Sequence, residues 1–155
     1  MSASESGERA WSGLNRMQLG QYAEYFVKME FTLHGLSVFT AEVDDRGIDF
    51  VIRTPSGEHY DVQVKSSCRG NYVFMQKDKF PLGERLLLAL VLFTDGEPPE
   101  LFLIPSTAWL KPNELFKDRE YEGKKSKPEW GLELAKKHRP LLEQYAFAEG
   151  VARLS

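Results

Sequence analysis

The chain has 155 residues, 42% hydrophobic and 28% charged, with a formal net charge of -3 at pH 7. That length favours one folded unit with a real core, and the charge excludes a global basic field, so any nucleic-acid partner needs a local patch. The single cysteine, Cys68, excludes an internal disulfide framework and cannot make a zinc site alone, which sets a reducing, cytoplasmic location as the default.

Residues 1–12 read as a loose polar tail, with no apolar core of a signal peptide, and 13–155 as one domain. A helical pattern runs from an N-cap at Asn15 to a stop at Gly35. "LSVFTAEV" is a strand and "DDRG" a turn. "IDFVIRT" alternates, with Ile48, Phe50 and Ile52 on one face and Asp49, Val51 and Arg53 on the other. "PSGE" turns the chain. "HYDVQVKSS" alternates again, with Val62 and Val64 opposite Asp61, Gln63 and Lys65. "YVFMQKDKF" is a short strand, "ERLLLALVLFT" a buried central strand, and "LFLIP" its antiparallel return. The longest apolar run, "LLLALVLF", is far short of the roughly 20 residues of a membrane helix. Ser106 reads as the cap of a short helix, residues 117–130 as a charged loop, and 132–151 as a helix that Pro140 kinks or splits. This order implies an α/β or α+β domain whose mixed sheet is covered by helices.

The hairpin carries three polar side chains that a bland hairpin does not need: Asp49, Gln63 and Lys65. Gln63 and Lys65 project together because residues two apart share a strand face. A carboxylate and an amide oxygen are hard donors suited to magnesium or manganese, and the Val64 carbonyl between them is a third. Upstream, Met17, Gly20, Glu24, Val27 and Phe31 share a helix face, placing a carboxylate in an apolar stripe. A buried charge needs a partner, and a metal or Lys65 would supply one.

Glu24, the Asp49 of "GIDF", and the "QVK" of Gln63 and Lys65 resemble the PD-(D/E)xK nuclease superfamily. The stretch from about Leu14 to Ser106 looks most like small members of that superfamily, with a Q-x-K variant of the motif because Gln63 replaces its second acid. The resemblance implies a restriction-endonuclease-like mixed central sheet flanked by helices and Mg²⁺- or Mn²⁺-dependent hydrolysis of DNA phosphodiesters. It implies a metal held by Asp49, Gln63, the carbonyl of Val64 and Glu24, and Lys65 positioning the attacking water. A domain of this size is expected to cut duplex DNA with a second copy or beside a partner subunit. The alternative is an inactive descendant of the fold that binds nucleic acid or protein, favoured by the charge lost at Gln63.

Other residues carry less. Asp44, Asp45 and Asp61 read mainly as solvated acids, and Gln76 to Lys79 as either a charged face or a contact to a DNA backbone. Tyr22, Tyr72, Phe74 and Trp109 read as core rather than as base-stacking platforms. His34, His59 and His138 show no ligand spacing, and Cys68 has no activating partner beyond Arg69. Lys111 to Arg139 carries nine basic and six acidic residues, a flexible arm or a solvated loop.

Overall fold

Asn15 begins the first helix, α1 (Arg16–Leu33), with a reciprocal cap. Its side chain accepts the Gln18 N–H at 2.8 Å, and the Gln18 side chain accepts the Asn15 N–H at 3.0 Å. Gly35, at φ +88°, lets the chain leave the helix. This is a computed structural model, and it describes residues 10–40 and 47–154. The buried line of α1 is Ala23, Val27 and Phe31, flanked by Leu19 and Phe26. The expected stripe through Met17 and Gly20 is therefore displaced. Met17 is 85% exposed, Gly20 faces outward, and Glu24 sits one position round from the buried line. Steps of four residues from Ala23 set the packed face, because those side chains lie nearest the sheet.

Eight strands follow: β1 (Ser37–Phe39), β2 (Phe50–Arg53), β3 (His59–Cys68), β4 (Tyr72–Gln76), β5 (Leu86–Phe93), β6 (Glu100–Pro105), β7 (Phe116–Arg119) and β8 (Glu129–Glu133). Residues 41–43 of the first expected strand and 44–46 of its turn, with Asp44 and Asp45, lie outside the described residues. The main sheet has the order β1-β2-β3-β5-β6, and all its pairs are antiparallel except β3 with β5. Helices flank this mixed sheet, so the fold is the expected α+β class. β5 is buried on both faces. Leu87, Ala89, Val91 and Phe93 join the core under α1, while Leu86, Leu88 and Leu90 join a second core on the other side.

That second core is closed by a three-stranded sheet, β4-β8-β7, whose strands take both ends of the expected loop over 117–130, while residues 120–128 between them lie outside any strand or helix. Phe116 and Leu132 point inward while the charged neighbours face out, so few apolar residues mark these strands. The expected long helix also gives way. Its first residues belong to β8, and a 3-10 turn (Lys136–His138) leads into α2 (Arg139–Glu143) and α3 (Phe147–Ala152). Pro140 starts α2 rather than kinking a longer helix, a position where its missing N–H costs nothing. Between the two helices, the Tyr145 carbonyl accepts the Leu103 N–H at 2.9 Å, tying the chain to β6. Ser106 is not a side-chain cap. Its fully buried hydroxyl accepts the Gly83 N–H at 2.9 Å and donates to the Gly83 carbonyl at 2.7 Å.

Within the expected loose tail, Trp11 is anchored: it is 6% exposed, and its indole N–H donates to the Glu97 carbonyl at 2.9 Å. Among the described residues no helix is long and apolar enough to cross a membrane.

The three-stranded sheet is pinned by a hydrogen bond of 2.5 Å from the Tyr72 hydroxyl to the buried Glu129 carboxylate. Burial, then this bond to a carboxylate, raises the Tyr72 pKa well above the ordinary tyrosine value. Because the folded pKa is raised, the stabilisation is complete below the unfolded pKa near 10 and is lost as pH rises through the folded value. Tyr72→Phe leaves the Glu129 carboxylate short of a donor and is expected to cost about 1–3 kcal/mol at pH 7. In denaturant titrations that difference should narrow above pH 10. A constant difference across pH would detach it from the hydroxyl.

Candidate active site

The hairpin of β2 and β3 closes through Gly57, at φ +95°, whose N–H bonds the Thr54 carbonyl at 2.9 Å. Its register pairs Phe50 with Val62, and Asp49 lies just before the first paired residue of β2. On the other side of β3, Gln63 lies beside Leu88 and Lys65 beside Leu90. Cross-strand neighbours share a face, so Gln63 and Lys65 project with Leu88 and Leu90 from the face opposite α1.

The two strands part at this point, and a side chain takes over the ladder. The Asp49 N–H still donates to the Val62 carbonyl at 2.9 Å, but the Val64 N–H donates to the Asp49 carboxylate at 2.6 Å. Alternation along β3 turns the backbone groups of Asp61 and Gln63 toward β5, as the bond from the Asp61 N–H to the Arg85 carbonyl shows (2.8 Å). The Val64 carbonyl therefore turns the other way, toward Asp49.

Gln63 is 9% exposed, and its Oε1 is buried with no hydrogen-bond partner among the described residues. An orphaned amide oxygen costs about 1–3 kcal/mol. Its amide Nε2 lies near Gly47, which adopts φ +81°. A Cβ at Gly47 would stand 3.1 Å from the Lys79 carbonyl oxygen, a tight contact that, with the positive φ, favours glycine at this point of the loop. Burial pulls the Lys65 pKa below the ordinary lysine value. The Asp49 carboxylate opposes that shift, and the charges of Arg16 and Lys79 reinforce it.

The structure thus brings Asp49, Gln63, Val64 and Lys65 together. Glu24 lies on α1, which packs on the opposite face, and its carboxylate is engaged by Lys28 at 3.2 Å rather than by Lys65. Lys28 in turn sits 5.5 Å from the ring centre of Phe50. Asp61 shares the face of Gln63 and lines a cavity of about 630 Å³ with Lys79 and Arg85. Among the described residues no group of three or more His, Cys, Asp or Glu side chains is placed to hold a metal ion. The sequence reading missed Arg16, the first residue of α1, because only the tertiary packing brings it beside Lys65.

No family model and no curated protein matches the chain. Among solved structures, a bacterial homing endonuclease, I-Ssp6803I, is similar with a TM-score of 0.52 at 16% identity, over 90% of this chain and 92% of that one. The likeness is one of fold, and the fold is nuclease-like.

Proposed function

We propose that the chain is a divalent-metal-dependent DNA endonuclease of the PD-(D/E)xK type with a Q-x-K site. The observation that carries this reading is the buried Oε1 of Gln63, without a hydrogen-bond partner among the described residues, next in the chain to Val64, whose N–H the Asp49 carboxylate accepts. The nuclease-like fold supports it. Asp49, Gln63 Oε1 and the Val64 carbonyl are the residues that would hold Mg²⁺ or Mn²⁺, and Glu24, engaged by Lys28 on the other side of the sheet, is left out of this set. When bound, such a cation polarises the scissile phosphate and acidifies water. Lys65 holds the attacking water and offsets charge growing on the phosphate. Arg16 and Lys79 keep the surroundings cationic, which favours a phosphodiester over a neutral ligand. A second copy or a partner subunit would bring the second site that cutting both strands needs. A cytoplasmic location accompanies this reading.

The test joins cleavage to metal binding. Plasmid and oligonucleotide DNA are incubated with Mg²⁺, Mn²⁺ or EDTA, and Mn²⁺ binding is followed by calorimetry. Cleavage is expected with metal and absent in EDTA. Gln63→Glu restores a carboxylate and should tighten Mn²⁺ binding by about tenfold, roughly 1.4 kcal/mol. Gln63→Leu should keep the fold and weaken binding. Strand binding without Mn²⁺ binding or cleavage would instead support the inactive descendant, which the lost charge at Gln63 favours.

A further inference from the structure

We propose that the groove running from Lys65 along β3 holds a single-stranded nucleotide segment, with Phe74 as the platform on which one base stacks. The substrate would then carry unpaired bases beside the phosphate that is cut. This inference rests on the nuclease reading and names its substrate class.

The groove, of about 340 Å³, is lined by Arg16, Lys65, Ser66, Ser67, Tyr72 and Phe74 among others. None of its described lining residues is acidic, in a chain with 23 acidic residues and a net charge of -3. Two cations, Arg16 on α1 and Lys65 on β3, and the hydroxyls of Ser66 and Ser67 give the groove a lining that suits a phosphodiester backbone. From Lys65 to Cys68, β3 advances about 10 Å, enough to run beside more than one phosphate of a strand.

The opposite wall is aromatic, and it departs from the sequence expectation. Phe74 was expected in the core, yet it is 45% exposed while its neighbours Val73 and Met75 are 8% and 1% exposed. It stands on the outer face of the three-stranded sheet and stacks on Tyr72, with ring centres 6.3 Å apart and planes 20° from parallel. Tyr72 is itself immobilised. Its hydroxyl is bonded to Glu129, and Arg119 lies 4.5 Å from its ring centre. Its ring also occupies the space above Gly131, where a Cβ would stand 1.9 Å from the hydroxyl oxygen. An exposed ring backed by a fixed one is a pre-ordered stacking surface, so little entropy is lost when a base adds to it. A base inside a duplex already has both faces covered, and only an unpaired or unstacked base can use Phe74.

The test is anisotropy of a short labelled oligothymidylate, measured in EDTA so that binding is separated from cleavage. The same strand with abasic positions and a matched duplex serve as comparisons. Wild type is expected to prefer the base-bearing strand. Phe74→Ala should weaken that complex about tenfold or more and change abasic binding less than about twofold. Phe74→Trp should retain affinity, with its emission quenched on binding. An equal loss on both strands, or a wild type indifferent to the bases, overturns the proposal. If DNA is cleaved while Phe74→Ala binds normally, the stacking platform fails alone. If the Phe74 pattern appears but no metal supports cleavage, the nuclease reading fails and the strand-binding groove remains.

Discussion

Asp49→Asn is expected to reduce metal-dependent cleavage by about a thousandfold or more, equivalent to roughly 4 kcal/mol of transition-state stabilisation, while the protein stays folded. The reason lies in the two roles of one carboxylate. Asp49 accepts the Val64 N–H at 2.6 Å, and it supplies the charge in a donor set otherwise made of neutral oxygens. Asparagine keeps an acceptor for Val64 and removes the charge. Asp49→Ala removes both and leaves a backbone N–H without its partner, at a cost of about 1–3 kcal/mol. For a chain of this size that lowers Tm by about 2–12 °C. The pair of variants separates chemistry from structure: calorimetry should show Mn²⁺ binding lost in both, and thermal melting should show a clear drop only in the alanine variant. An asparagine variant that cleaves like wild type would leave Asp49 with a structural role alone.

Lys65→Met should lower cleavage by about 10²–10⁴-fold, with Mn²⁺ binding retained and Tm unchanged or higher. The ammonium is partly desolvated, and burial is the largest influence on it. Replacing it with an unbranched apolar side chain removes the desolvation cost of the charge. Two neighbouring cations, Arg16 and Lys79, also stop repelling it. Stability and activity therefore move in opposite directions, the pattern of a group kept for function. If Tm and Mn²⁺ affinity both fell, Lys65 would instead be the counter-ion that keeps Asp49 in place.

The hairpin was legible because strict alternation over Ile48 to Arg53 and His59 to Ser67 has one half-buried solution, and Pro55 and Gly57 fix the turn between. Asn15 and Gln18 marked the start of α1 in the same direct way, since a cap is a local hydrogen-bond exchange. Where contacts between distant segments decide, the sequence said less. β7 and β8 carry Lys117, Asp118, Arg119 and Glu129, and their strand character comes from Phe116 and Leu132 packing under β4. The helical period over 132–151 was overridden where Tyr145 and Ala146 reach β6. At the site, alternation placed Asp49, Gln63 and Lys65 on one face; the register of β3 with β5 puts Gln63 and Lys65 on one face, and Asp49 reaches β3 through its carboxylate. Glu24 was drawn toward them because Met17 and Gly20 were counted in its stripe. The packed line of α1 is Ala23, Val27 and Phe31, so Glu24 lies one position round from it and pairs with Lys28 one turn along the same helix. Phe74 looked like core because its hydrophobicity cannot report which face of β4 it occupies.

β5 has a consequence for handling the chain. Eight apolar residues in a row, "LLLALVLF", have no charge, proline or glycine among them. In the native sheet β3 and β6 cover both their edges, and two cores cover both their faces. Once unfolded, the same segment is a strong template for stacking with its copies in other chains. Glu84 and Arg85 on one side and Asp95 on the other are the gatekeepers that discourage such stacking. Heat-denatured material should therefore precipitate rather than refold at high concentration, and the melting temperature becomes a matter of scan rate as well as of equilibrium.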